Sequence, residues 1–348
     1  MISAGQRTAM SFGSALCFTL LAACQVASSS QAVAHDRGQQ WHGVNLSGGE
    51  FAAETLPGKA GTNYVYPDAG VAEPFIAQGM DTVRMPVLWE RIQPEPFKPL
   101  SESEMMLIDQ SITALGGFGT IIFDIHNYGY YRKARLDTAP DGSAMLADVW
   151  KRLAERYKDK PAIAFGIMNE PYDIDAQAWR KIVDRSVAAI RKTGATNLIL
   201  VPGTRWTGAH SWLSGGSSSN AAAFQDFQDP GNNFLFELHQ YLDADSSGTK
   251  GECVGAKTGS ERLAEVTQWL RARKAGALLG EFGGGPGTTC LAALDDMLTY
   301  MDSNSDVWRG WTYWAGGAWW GDYPLSVQPG EDGKPKPQME VLVRHTSR

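Results

Sequence analysis

The sequence predicts an α/β chain closed into a single (β/α)₈ barrel, and three observations carry that expectation. Eight short apolar blocks of strand length alternate with segments of helical period. Several blocks are apolar without a break, as in Ile121-Ile122-Phe123 and Leu198-Ile199-Leu200-Val201, which suits parallel strands buried on both faces. No glycine-rich phosphate turn follows the first block; Gly48-Gly49 is not a G-x-G-x-x-G, which speaks against a doubly wound open sheet.

The predicted strands are 42–45, 82–85, 120–125, 163–168, 198–201, 234–238, 277–280 and 310–313. The spacing predicts a helix over 101–115, where Ser101 and Glu104 form a capping-box signature. A second is expected over 144–157, with Leu146, Val149, Trp150 and Leu153 on one stripe. Two more, over 176–193 and 261–274, stop just before Gly194 and Gly276. After the fifth strand the helical signal is weak, and a Gly/Ser/Asn-rich stretch over 214–220 takes its place. The chain has 348 residues, a length one TIM barrel commonly occupies, and no repeat or second binding module interrupts it.

The first 24 residues read as an export signal: Arg7 supplies the positive start, and the apolar run that follows is too short to span a bilayer. It carries two exits. Leu21-Ala22-Ala23-Cys24 resembles a lipoprotein box that would lipidate Cys24, and Ala32-Val33-Ala34 resembles an ordinary cleavage site. Residues 25–38 then form a tether, and 39–348 the barrel. An exported chain meets an oxidising compartment, so Cys253 and Cys290 are expected to pair, worth about 4 kcal/mol in the chain-entropy model. The expected location is the outer membrane or cell surface through the lipid, or the periplasm or medium without it. A membrane partner is expected only through that lipid.

A net charge of −7 argues against nucleic acid, whose binders carry a basic face. Twelve tryptophans suit a flat, neutral partner instead. No cofactor is implied. Zinc spacings are absent, and the calcium-like start at Asp243-Ala244-Asp245 lacks the closing glutamate, Val254 standing there. Asn45-Leu46-Ser47 is a glycosylation sequon in form only.

Barrel enzymes build their sites at the C-terminal ends of the strands. Here those ends turn polar again and again: Arg84; Asp124-Ile125-His126-Asn127-Tyr128; Asn169-Glu170-Pro171; His239-Gln240-Tyr241; Gly280-Glu281; Tyr313-Trp314. Glu170 and Glu281 end strands four and seven and would face one another across the mouth. Two facing carboxyls suit glycosidic bond cleavage, at about 5–5.5 Å for retention and wider for inversion. Arg84 and Tyr241 can hold an ionised carboxylate, Asn169 a sugar 2-hydroxyl, and His126 and His239 sugar hydroxyls or the acid. Trp206, Trp314, Trp319 and Trp320 offer planes for pyranose faces.

At these residues the chain resembles glycoside hydrolase family 5, in its endo-β-1,4-glucanase branch, from about Trp41 to the C-terminus. The matching stretches include His42-Gly43-Val44-Asn45, Val83-Arg84-Met85-Pro86, Met168-Asn169-Glu170-Pro171, His239-Gln240-Tyr241 and Gly280-Glu281-Phe282-Gly283. The resemblance implies a site of Arg84, His126, Asn169, Glu170, His239, Tyr241, Glu281 and Trp314. It assigns Glu170 as acid/base and Glu281 as nucleophile, roles that spacing does not separate. The expected activity is endo-acting, retaining hydrolysis of a β-glucan polysaccharide or oligosaccharide by a monomer. Mannan, xylan or mixed-linkage glucan as substrate, or glycan binding without cleavage, are the alternatives.

Overall fold

The structure, a computed structural model, describes residues 40–346. The export signal, the tether and Cys24 lie outside these residues. Eight parallel strands close into a barrel: β1 (Trp41–Leu46), β2 (Thr82–Val87), β3 (Thr120–Ile125), β4 (Ile163–Gly166), β5 (Ile199–Pro202), β6 (Phe234–Tyr241), β7 (Ala277–Gly283) and β8 (Trp308–Gly316). Each pairs with the next, and β8 returns to β1. All eight predicted strands are present, most of them longer at one or both ends.

Nine helices are seen among the described residues: α1 (Ala69–Ile76), α2 (Trp89–Ile92), α3 (Glu102–Ala114), α4 (Gly142–Tyr157), α5 (Ala176–Lys192), α6 (Asn220–Ala223), α7 (Thr258–Arg273), α8 (Thr288–Ser303) and α9 (Pro337–Arg344). After β5 there is only the four-residue α6, as the weak signal there implied. The capping box of α3 is half made. Ser101 accepts from the Glu104 backbone N–H, but the Glu104 carboxylate turns away to accept from the hydroxyls of Tyr64 and Tyr66. Two phenols outside the helix therefore take the place of the reciprocal bond to the cap. α7 starts three residues earlier than predicted and closes on Lys274 in the left-handed conformation (φ +56°).

Strand alternation divides the interior into layers. Near the strand starts, Trp41, Ile122, Ala164, Leu200, Leu235 and Leu278 pack as one apolar plug. Two residues further along, the same inward faces carry Asp124 after Ile122 and Glu237 after Leu235. The opposite faces of the strands meet the helices in a larger apolar core that includes Phe123, Trp150, Trp179 and Trp308. Charge is thus stacked on a dry plug, and every charged group above it needs a partner within the barrel. Gly280 makes one such group fit: a Cβ there would lie 2.5 Å from Oε1 of Glu237.

Cys253 and Cys290 form a disulfide joining the loop after β6 to α8, with their Cα atoms 5.1 Å apart. Asn45 is wholly buried, so its sequon is sealed inside the barrel.

Candidate active site

Arg84 is the hub of the polar layer. Its side chain is fully buried, and its donors reach five groups on five strands or strand ends. Nε donates to Glu237 at 2.8 Å. One terminal nitrogen donates to Glu281 at 2.9 Å and to Asn45 at 3.0 Å. The other donates to Asn169 at 2.9 Å and pairs with Asp124 at 3.1 Å. A guanidinium has five N–H donors in a rigid fork; four hydrogen bonds and the ion pair to Asp124 surround it here. The pairing of Asn45 with Arg84 across β1 and β2 brings those two together. Burial pulls the Arg84 pKa down, but Asp124, Glu237, Glu281 and Glu170 together raise it.

Strand register also sets His239 directly beside Glu281, just past a bulge in the β6–β7 pairing. Nδ1 of His239 lies 2.8 Å from Glu170 and 3.5 Å from Glu281, and Nε2 lies 3.4 Å from Glu237. Burial favours the neutral ring, yet Glu281, Glu170 and Glu237 together push His239 up to about 10. It is therefore an imidazolium at neutral pH and donates to Glu170. Burial likewise disfavours the charged form of Glu237, but Arg84 and His239 hold its carboxyl below the ordinary range.

The two glutamates have unequal surroundings. Glu281 accepts from Arg84 and, at 2.7 Å, from the Tyr241 hydroxyl. Burial and Glu281 itself keep that phenol protonated, with a pKa well above the ordinary value. Glu170 is more open: its side chain is 15% exposed, against 4% for Glu281. Its backbone is held at φ +41°, in the left-handed region. Such a conformation costs an L-residue roughly 1–2 kcal/mol, and strain of this kind gathers at functional sites. One oxygen of each carboxylate and the His239 ring nitrogen lie within 4.8 Å of one another. These three residues are the one group among the described residues whose spacing could hold a metal ion. Arg84, already on Glu281, would repel a cation there.

Asn169 accepts from Arg84, and its amide nitrogen stands 3.0 Å from Nε2 of His126, whose Nδ1 faces Asp124 at 2.8 Å. The ring of Trp314 stacks on His126, centroids 5.5 Å apart and 14° from parallel. All eight residues that the resemblance singled out therefore converge. Asn127 does not: its amide is taken by the Trp89 backbone N–H and by Glu90, behind the site. Trp311 is buried against Phe282 and His42, whereas Trp319 is exposed and Trp320 is half-buried beside Trp314.

From Glu170 a cleft of about 880 Å³ opens toward Tyr172, Arg205 and Trp206. Trp206 is 53% exposed and lies flat against Tyr172, 3° from parallel. Arg205, Trp206 and Thr207 are all left-handed, and the turn is anchored by the Trp206 N–H on the Pro171 carbonyl. The sequence pattern assigned no role to Asp124, Glu237, Tyr172 or Arg205. Period-two alternation would have found the first two, since Asp124 shares an inward face with His126, and Glu237 with His239 and Tyr241. Asp243, at the calcium-like start of the loop, accepts from the Ser247 hydroxyl and from the Gly248 N–H.

With this geometry in place, comparison with known proteins is informative. The family model Cellulase (glycosyl hydrolase family 5) matches residues 33–317. Endo-beta-1,4-glucanase B of Aspergillus niger is 35% identical over 322 residues, covering 89% of this chain and 93% of the relative. Among solved structures, the endo-beta-1,4-glucanase Xac0029 of Xanthomonas axonopodis pv. citri is 48% identical. Its TM-score is 0.86, and the likeness covers 88% of this chain and 98% of that one. XacCel5A in complex with cellopentaose is 49% identical, also at TM-score 0.86, over 88% of this chain and 99% of that one. Pseudomonas stutzeri endoglucanase Cel5A, bound to cellobiose, is 32% identical at TM-score 0.80, over 88% and 92% of the two chains.

Proposed function

This chain belongs to the cellulase family, glycosyl hydrolase family 5, and on that premise we propose that Glu281 and Glu170 are the nucleophile and acid/base of a retaining endo-β-1,4-glucanase. The observation that carries the reading is the facing pair of carboxylates, an oxygen of one within 4.8 Å of an oxygen of the other, one held by donors and the other open to the cleft. Retaining sites set their carboxyls about 5–5.5 Å apart, while inverting sites leave about 6.5–9.5 Å for a water.

In the first step Glu281 attacks C1 and the bond to the leaving oxygen breaks, with Glu170 delivering the proton. Arg84 and Tyr241 hydrogen-bond the attacking carboxylate and aim it. His239 holds Glu170 in place. In the second step Glu170 takes a proton from water, which attacks C1 and releases Glu281. Trp314 on one side of the carboxylates and the Trp206–Tyr172 pair on the other offer flat apolar faces to successive sugar rings.

Turnover of soluble cellulose by Glu281→Gln tests the assignment. A loss of about 10⁴-fold or more is expected, as for a removed nucleophile, and wild-type turnover would sink it. Proton NMR of the first-formed product should show the β-anomer; an initial α-anomer would exclude retention. Reducing-sugar release across cellulose, mannan, xylan and mixed-linkage glucan measures the substrate preference, with cellulose expected first.

The reading extends to location. The Cys253–Cys290 disulfide fits an oxidising compartment outside the cytoplasm, in keeping with the export signal and with lipidation at Cys24. Mass spectrometry of the mature N-terminus should find a lipid on Cys24; an unmodified start after Ala34 would refute it.

A further inference from the structure

Arg205 stands in the cleft wall next to Trp206, and its side chain makes no hydrogen bond or ion pair among the described residues. The fold makes room for it. A Cβ at Gly215 would lie 2.6 Å from its terminal nitrogen, and Gly215 itself has a φ of +101° that side-chain-bearing residues rarely adopt. The turn that presents Arg205 is left-handed at three successive residues, φ +58°, +53° and +57°. A strained turn held in this way invites a functional explanation.

The other charges facing this cleft are matched. Glu170 is paired with His239 at 2.8 Å, and Asp245 with Lys250 at 2.9 Å. Burial lowers the His210 ring below its ordinary value, and its Nδ1 faces Gln240. That leaves Arg205 as the unmatched cation of the cleft wall among the described residues, beside an aromatic platform. A neutral glucan has no group that calls for a full positive charge. A guanidinium presents a planar fork of donors that fits a carboxylate with two parallel hydrogen bonds.

We propose that Arg205 forms a subsite for a carboxylate-bearing sugar unit, a uronic acid or a carboxymethylated glucosyl residue, on the leaving-group side of the cleft. The proposal rests on the glucanase reading, since Glu170 as acid assigns this end of the cleft to the leaving group.

The test uses the whole enzyme and three soluble substrates: neutral hydroxyethyl cellulose, carboxymethyl cellulose of matched substitution, and cellulose oxidised at C6 to glucuronate. Arg205→Met should lower kcat/KM on one or both anionic substrates by about three- to fivefold, the upper end for a partly exposed ion pair. Activity on hydroxyethyl cellulose should stay within about twofold. Arg205→Lys, which keeps the charge and loses the fork, should fall between. Salt should erase the wild-type advantage on the anionic substrate. A loss confined to the oxidised cellulose identifies a uronic acid, and one confined to carboxymethyl cellulose identifies a substituent. Equal losses on all three substrates, or no loss on either anionic one, would overturn the proposal. A wild-type enzyme inactive on hydroxyethyl cellulose would instead count against the glucanase reading.

Discussion

At the floor of the cleft, Arg84, Asp124 and Glu237 are wholly buried and joined by contacts of 2.8–3.1 Å. At its rim, Trp206 is 53% exposed, stacks on Tyr172, and sits in a left-handed turn beside Arg205, whose side chain has no partner among the described residues. The floor is over-determined: each charge is fixed by several partners, and moving one leaves others stranded in low dielectric. The rim is under-determined, and its residues can change with little effect on the rest of the fold. On the proposed reading, the chemistry of bond cleavage lives on the first, and the choice of what is bound lives on the second.

The largest effect is expected where that contrast is sharpest. Arg84→Met removes the one guanidinium that compensates Asp124, Glu237 and Glu281. Breaking a buried ion pair by deleting one partner costs about 3–5 kcal/mol, and here three carboxylates lose theirs. Urea unfolding should show a midpoint far below that of the wild type, with turnover lost as Glu281 loses its anchor. A shift no larger than that of a rim variant would break the comparison.

A smaller effect, with a defined sign, is expected from pH. His239 titrates near 10 in the folded protein, above its ordinary 6.5. Folding is then favoured by proton binding, so this contribution is complete below about 6.5 and fades as pH rises through 10. Urea midpoints measured from pH 6 to 10 should fall over that window. His239→Asn should be less stable at neutral pH and should flatten the slope, whereas Trp206→Ala should leave the slope as it is. A wild-type midpoint that holds steady to pH 10 would remove His239 from the charged floor.

The same division explains what was legible in the sequence. Strand-end positions are read from where an apolar block stops, and register then fixes which ends meet; Arg84, His239, Tyr241 and Glu281 were visible for that reason. Asp124 and Glu237 lie inside the strands, one alternation below the ends, and the strand-end pattern gave them no separate role. Asn127 misled because it shares a polar run with His126, yet alternation turns it away from the mouth to cap α2. Tyr172 and Arg205 belong to loops whose course depends on left-handed turns at residues other than glycine, and such turns leave no pattern in the sequence. The lengthened strands β6 and β7 reflect polar residues, His239-Gln240-Tyr241 and Glu281, that continue the ladder after the apolar block has stopped.

The smallest effect belongs to the rim and separates binding from folding most cleanly. Trp206→Ala removes a ring that is mostly solvent-exposed, so stability should change by no more than about 0.5 kcal/mol. The loss should appear in KM for cellopentaose. A stacked aromatic contact is worth about 0.5–1.5 kcal/mol beyond its area, or roughly two- to twelvefold, with kcat little changed because Glu170 and Glu281 are untouched. Trp206→Gly takes the argument one step further. At φ +53° glycine relieves backbone strain that alanine keeps. The glycine variant should therefore match the alanine variant in KM while unfolding at equal or higher urea. If Trp206→Ala instead lowered kcat and stability together, the rim would be coupled to the floor, and the division between them would fail at the Pro171 carbonyl that anchors the turn.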